Sequence, residues 1–228
     1  MKKHTKWLAL LLAGLITCSI FSACDNQTPS NNGDNEDKEP NETVSPSKIL
    51  TPNEIEDELY ETEKFTIGFE TKRQSSAESY SINRIYMKNG DIIKASETTI
   101  SEGYNSKNEV YVDLKNQMQY SFRNEKWSAT SAQVSLEELY KDVLFSELLL
   151  SNDSYDEYDG QNDCTPLKED TLRSYFNLDE TVEISGYMKV QNSIYTFFMV
   201  SGDSSYTITI EFAAEKLTLP EVSDSSVN

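Results

Sequence analysis

The chain has 228 residues, room for one or two domains, and it is acidic, with 20 Lys and Arg against 39 Asp and Glu. Such a charge is repelled by nucleic acid and by anionic lipid headgroups, so DNA and RNA are excluded as partners. The single histidine is His4. A body that begins after it has no Ser/His/Asp or Cys/His constellation and no histidine-bearing zinc site.

The first element is a leader. Lys2, Lys3 and Lys6 precede an apolar run from Trp7 to Phe21, which is shorter than the roughly 20 residues a spanning helix needs. Phe21-Ser22-Ala23-Cys24 follows, and the chain turns polar at once with Asp25-Asn26-Gln27. This border resembles the bacterial lipobox, in which a small residue precedes a cysteine, although Phe21 stands where that family usually has Leu. The resemblance implies that a lipid is attached to the Cys24 thiol and that the chain is cut before it. Cys18 is the rival, but Thr17 fits less well before a cut, and Ser19-Ile20-Phe21 would remain as an apolar stub. Lipidated cysteines of this kind carry at least two acyl chains, and two hold stably where one is marginal. The expected location is therefore the extracytoplasmic face of a bacterial membrane, at a Gram-positive cell surface, with the protein anchored through lipidated Cys24 and not spanning. Residues 1–23 form the signal peptide. Its removal leaves 17 basic and 39 acidic residues, a net charge of −22. Cys164 is then the one cysteine of the body, and no intramolecular disulfide can form there.

Residues 24–48 are read as lipid anchor and acidic tether. Val44 is the one large apolar residue of this stretch, which carries six acids and two bases. It buries too little to offset its ordering entropy, so disorder is expected, with an average span of about 25–30 Å as a coil.

The apolar pattern begins at Ile49. Thr51, Pro52 and Glu54 form a capping box ahead of a helix over 52–63 with Ile55 and Leu59 on one face. Strands follow at 64–72, with Phe65, Ile67 and Phe69 alternating, and at 78–88 and 91–100, joined by Asn89-Gly90-Asp91, where Asn-Gly suits a type I′ turn. Further strands are read at 109–114, 118–122 and 127–130. Residues 135–150 predict a helix capped by Ser135, with Leu136, Leu139, Tyr140, Val143, Leu144 and Leu148 on a broad apolar face. A second Thr-Pro start predicts a helix over 165–177, and strands at 181–190, 193–202 and 205–214 close the domain. No βαβ alternation is present. The expected fold is α+β: one domain over 49–220, a curved antiparallel half-barrel of about nine strands with helices against the concave face, and a frayed tail at 221–228.

This element order resembles the LolA/LppX-like group of bacterial lipoproteins, an open curved barrel with helices over its mouth. The run Val110–Trp127 is similar to a stretch common in Gram-positive surface lipoproteins. The resemblance implies an acyl chain or lipidated molecule held between sheet and helices.

Candidate ligand-binding residues are the apolar strand positions Phe65, Ile67, Phe69, Met118, Tyr120, Phe122, Ile208 and Ile210, with Tyr140 and Leu144 facing them from the helix. The same residues would equally fill a dry core. Asp153, Asp156, Glu157, Asp159 and Asp163 crowd one acidic loop, but an EF-hand register set by Gly160 puts Tyr155 and Pro166 at essential ligand positions, so no metal is assigned. Carboxylates are numerous, yet no pair stands out for glycosidase-type chemistry. Cys164, ahead of the expected helix start, has acidic neighbours that disfavour a thiolate. No cofactor and no catalytic role are expected. The leading functional reading is a membrane-anchored lipoprotein that binds a lipid or other amphiphile. The alternative is an interaction or sensory module with a filled core, serving an envelope protein partner.

Overall fold

The computed structural model describes residues 49–75, 79–123, 125–135, 141, 143–157 and 164–222. Cys24, the leader and the tether lie outside these, as do Tyr140, Asp159 and Asp163.

Among the described residues the protein is one ten-stranded, wholly antiparallel sheet with a few short helices. The strands are β1 (Lys64–Gln74), β2 (Ser79–Asn89), β3 (Ile92–Ser101), β4 (Tyr104–Asp113), β5 (Met118–Arg123), β6 (Lys126–Ser131), β7 (Cys164–Pro166), β8 (Ile184–Gln191), β9 (Ile194–Ser201) and β10 (Ser204–Glu211). Their order is β6-β5-β4-β3-β2-β1-β10-β9-β8-β7. Two meanders meet where β1 pairs with β10, and the sheet is open, with β6 and β7 at opposite edges. The segment between β6 and β7 must therefore pass from one edge of the sheet to the other.

The helices are α1 (Pro52–Glu61), α2 (Ser146–Leu149) and α3 (Glu169–Phe176). The capping box of α1 forms as its sequence demands, with the Thr51 N–H donating to Glu54 Oε2 at 2.9 Å. Ile55 and Leu59, one turn apart, are both fully buried. Asn53 and Asn152 exchange backbone-to-side-chain hydrogen bonds at 3.1 and 2.8 Å, fastening α1 to the chain beyond α2.

Three expectations are corrected. The helix over 135–150 is not continuous: residues 141, 143 and 144 are helical, but Phe145 is left-handed at φ 46°, and α2 starts afresh after it. Phe145 becomes a hub there, with the rings of Phe69, Tyr175, Phe176 and Tyr206 all within 6.1 Å. Those edge-to-face contacts offset an uncommon backbone conformation for a bulky residue. The Thr165-Pro166 start does not open a helix. Cys164–Pro166 is edge strand β7, paired to β8, and α3 begins at Glu169. Pro166 is tolerated because an edge strand has a side that makes no ladder bonds. Finally, Asn89 stays in its strand opposite Ile92, and only Gly90 of the β2–β3 loop has positive φ (60°). That pattern is II′-like and differs from the expected Asn-Gly I′ turn. At β8–β9 both loop residues are positive, with Asn192 and Ser193 at 53° and 62°.

One face of the sheet carries the helices. Register places Phe65, Ile67 and Phe69 of β1 on the same side as Ile208 and Ile210 of β10, Tyr195, Phe197 and Met199 of β9, and Ile184 and Met188 of β8. These pack with Ile55, Leu59, Val143, Leu144, Leu148, Leu149 and Leu172 in one continuous core. Gly186 belongs to this face for a steric reason. A Cβ there would lie 2.9 Å from the Phe198 carbonyl oxygen and 2.9 Å from Leu167 Cδ1. Its absence lets the β7–α3 connection close onto β8, where the Leu167 N–H donates to the Gly186 carbonyl.

Candidate functional site

On the same face, beyond β2, the covering changes. The inward positions of β2 to β5 fall into rows that cross the strands. One row runs Tyr86, Ala95, Val110, Ser121, and its neighbour Ile93, Val112, Gln119. The third runs Arg84, Glu97, Asn108. These side chains, with Arg123 at the far end, line a hollow of about 230 Å³. Ala132 and Val134 pack with Ile93, Val110 and Val112 as a second, smaller apolar cluster.

The polar row gives the hollow its chemistry. Arg84 and Glu97 form an ion pair at 3.4 Å, with side chains only 7% and 12% exposed. The guanidinium lies 5.8 Å from the centre of the Phe69 ring, a cation–π contact at the border with the filled core. Arg84 Nε is buried without a hydrogen-bond partner, since the contact to Glu97 Oε2 has ion-pair distance but not hydrogen-bond geometry. Glu97 Oε1 accepts one long bond, 3.5 Å, from Asn108 Nδ2. Burial pushes the Glu97 carboxyl above its ordinary range, and Arg84, through its charge and its close side-chain approach, and the bond from Asn108 pull it partly back.

The sequence-predicted ligand residues divide three ways. Phe65, Ile67, Phe69, Leu144, Ile208 and Ile210 are at most 8% exposed and belong to the packed core. None of them lines the hollow, although Phe69 borders it through Arg84. Met118, Tyr120 and Phe122 point to the opposite face, because the pairing of Val112 with Gln119 turns the even positions of β5 outward. Of the described candidates, only Phe122 also borders the hollow. Tyr140 lies outside the described residues.

On that outer face, the even residues of β5 meet aromatic partners. Trp127 packs on Phe122 at 5.3 Å and on Tyr111 at 5.4 Å between ring centres. The Lys94 ammonium sits 5.6 Å from the Tyr111 ring. Burial, aided by the hydrogen bond Tyr111 donates to Glu109, pushes the Tyr111 phenol up to about 12. Phe122 remains 52% exposed.

The acidic loop does not assemble a site among the described residues: no three His, Cys, Asp or Glu side chains are placed to hold a metal. The Asp153 carbonyl instead accepts a bond from Lys168 Nζ at 2.8 Å, while Asp159 and Asp163 lie outside the described residues. Cys164 opens β7 opposite Lys189 and is not at a helix start.

The residues missed from sequence are Arg84 and Glu97. A signal was present. Ile82-Arg84-Tyr86 and Ile93-Ala95-Glu97 place a charge at an inward position of an otherwise apolar alternation, and the two charges are opposite in sign. No family model matches this chain, and no curated protein matches it. Among the described residues no helix is long and apolar enough to cross a membrane.

Proposed function

We propose that the protein is an extracytoplasmic lipoprotein, anchored through Cys24, whose curved half-barrel binds a small amphiphile in the hollow over β2–β5. The observation that carries this reading is the hollow itself. Apolar walls from Tyr86, Ile93, Val110 and Val112 converge on one buried, incompletely hydrogen-bonded charge pair, Arg84–Glu97. Apolar walls with few convergent polar groups are the general form of a small-molecule site. The ligand we read into the hollow is a short single-chain amphiphile. The LolA/LppX-like likeness is therefore proposed for the architecture, and carriage of whole lipids is not. Catalysis is disfavoured because the body has no histidine and Glu97 is already paired with Arg84.

Two experiments test the proposal. In a bacterial host, the wild-type chain is expected to incorporate labelled palmitate and to fractionate with membranes. Cys24→Ser should lose both; equal labelling of the two would refute the anchor. For the ligand, the chain from Asp25 onward keeps every residue of both apolar clusters, which start at Leu50. Native mass spectrometry of that chain with 1-octanol should give a one-to-one adduct, and Ala95→Leu, which fills the hollow, should abolish it. No adduct across a millimolar titration would sink the binding reading. The second reading, an interaction module, draws on the half-exposed Phe122 beside Trp127 at the β5–β6 edge. It predicts that Trp127→Ser, at a residue that does not line the hollow, weakens capture of an envelope partner and leaves the octanol adduct intact.

A further inference from the structure

The polar row is neutral as a unit, and from this we propose that the ligand carries an uncharged head that both accepts and donates a hydrogen bond, as a primary amide or a hydroxyl does. The inference rests on the ligand-binding reading above and specifies the chemistry of that same hollow.

Arg84 is 6% exposed and lines the hollow, and its Nε is buried 3.4 Å from Glu97 Oε2 and outside hydrogen-bond geometry. Glu97, its partner in the row, keeps one oxygen at ion-pair distance from Arg84 and the other on a 3.5 Å bond from Asn108. One buried donor and one under-used acceptor thus stand side by side. Leaving such groups unmatched is costly, so a head that accepts from the Arg84 guanidinium and donates to a Glu97 carboxylate oxygen gains on both counts. A charged head gains on one and loses on the other. A carboxylate would be set against Glu97, and an ammonium against Arg84. Either leaves one excess charge in a mostly dehydrated site, which is unfavourable. Arg123 does not reverse this balance, because it is exposed and opposite Lys126 at the end of β5, where water and salt screen it. The remaining atoms of the ligand form a short unbranched chain against Tyr86, Val110 and Val112.

The test is a head-group series on one chain length: octanamide, 1-octanol, octanoate and octylammonium, titrated calorimetrically at neutral pH into the chain from Asp25 onward. Octanamide and octanol should bind about tenfold tighter than either ion, the size of one hydrogen bond to a charged group. The variant E97Q keeps the shape and makes the row net positive, so octanoate should gain about tenfold relative to octanol. If E97Q does not fold, the doubly neutral R84Q/E97Q must keep the preference for uncharged heads. Tighter binding of octanoate or octylammonium to the wild type overturns the head assignment and leaves the cavity reading standing. No binding of any octyl probe overturns the cavity reading, and the head assignment with it.

Discussion

The helix-bearing face has two halves built by the same rule and finished differently. From β1 through β10 and β9 to β8, the inward row Phe69, Ile208, Phe197, Met188 is apolar throughout and covered by side chains from α1, α2 and α3. The same row continues across β2, β3 and β4 as Arg84, Glu97, Asn108. Neither the alternation nor the ladder changes at that border. What changes is the chemistry of the inward residue, and with it the covering. Apolar rows are stabilised by close packing and recruit helices. A buried ion pair gains little from apolar covering, and the hollow lies over this row. Arg84, stacked against Phe69 and paired with Glu97, is the seam between the halves.

The comparison can be broken hardest in the filled half. Phe197 is fully buried at the centre of that core. Phe197→Ala should lower the unfolding free energy by about 3–5 kcal/mol, the range for deleting a buried aromatic side chain, as read by urea denaturation. A loss below about 1 kcal/mol would mean that this half is not densely packed.

The seam comes next. Arg84→Met removes the cation that neutralises Glu97, and removing one partner of a buried pair costs about 3–5 kcal/mol. Glu97 makes this cost depend on pH. Its folded pKa lies above the ordinary 4.5, so its contribution to stability is fully present below that value and is lost as pH rises through the folded one. Without Arg84 the folded value climbs further, and the loss extends to higher pH. The variant should therefore be penalised by about 3 kcal/mol near pH 7 and by clearly less near pH 5. Equal penalties at both would show that Glu97 does not sense Arg84.

How far the sequence reveals these halves follows from what each feature depends on. The alternating strands are local, and each was legible in outline. The first part of β4 was not, because Tyr104–Asn108 carries no apolar alternation and pairs only because β3 continues opposite it. Three-residue β7 is too short and has Pro166 in it. The broken helix at Phe145 defeats periodicity for another reason: the residue's ring partners come from β1, β10 and α3, all remote in sequence. The candidate site was misplaced by a parity choice. Met118, Tyr120 and Phe122 look inward-facing because they are the apolar set of β5, but register turns Gln119 and Ser121 in. Polar residues are acceptable there because that half of the face is hollow.

The gentlest test lies in the wall of that hollow. Val110 is half-buried, with part of its side chain already bordering open space. Val110→Ala removes two methyl groups that have fewer neighbours to lose than those of a core residue, so the expected cost is about 1 kcal/mol or less. Thermodynamically it should be nearly silent, yet it lengthens the hollow by about the volume of two carbon units. If the half is a site and not a packing defect, the preferred chain length of the amide series should move from octanamide to decanamide, with the head preference unchanged. If the wall instead collapses onto the gap, octanamide affinity should fall and no longer chain should recover it. The first result ties the hollow's length to its wall residues. The second would assign the unfilled half to loose packing, leaving the Arg84–Glu97 row as a structural pair alone.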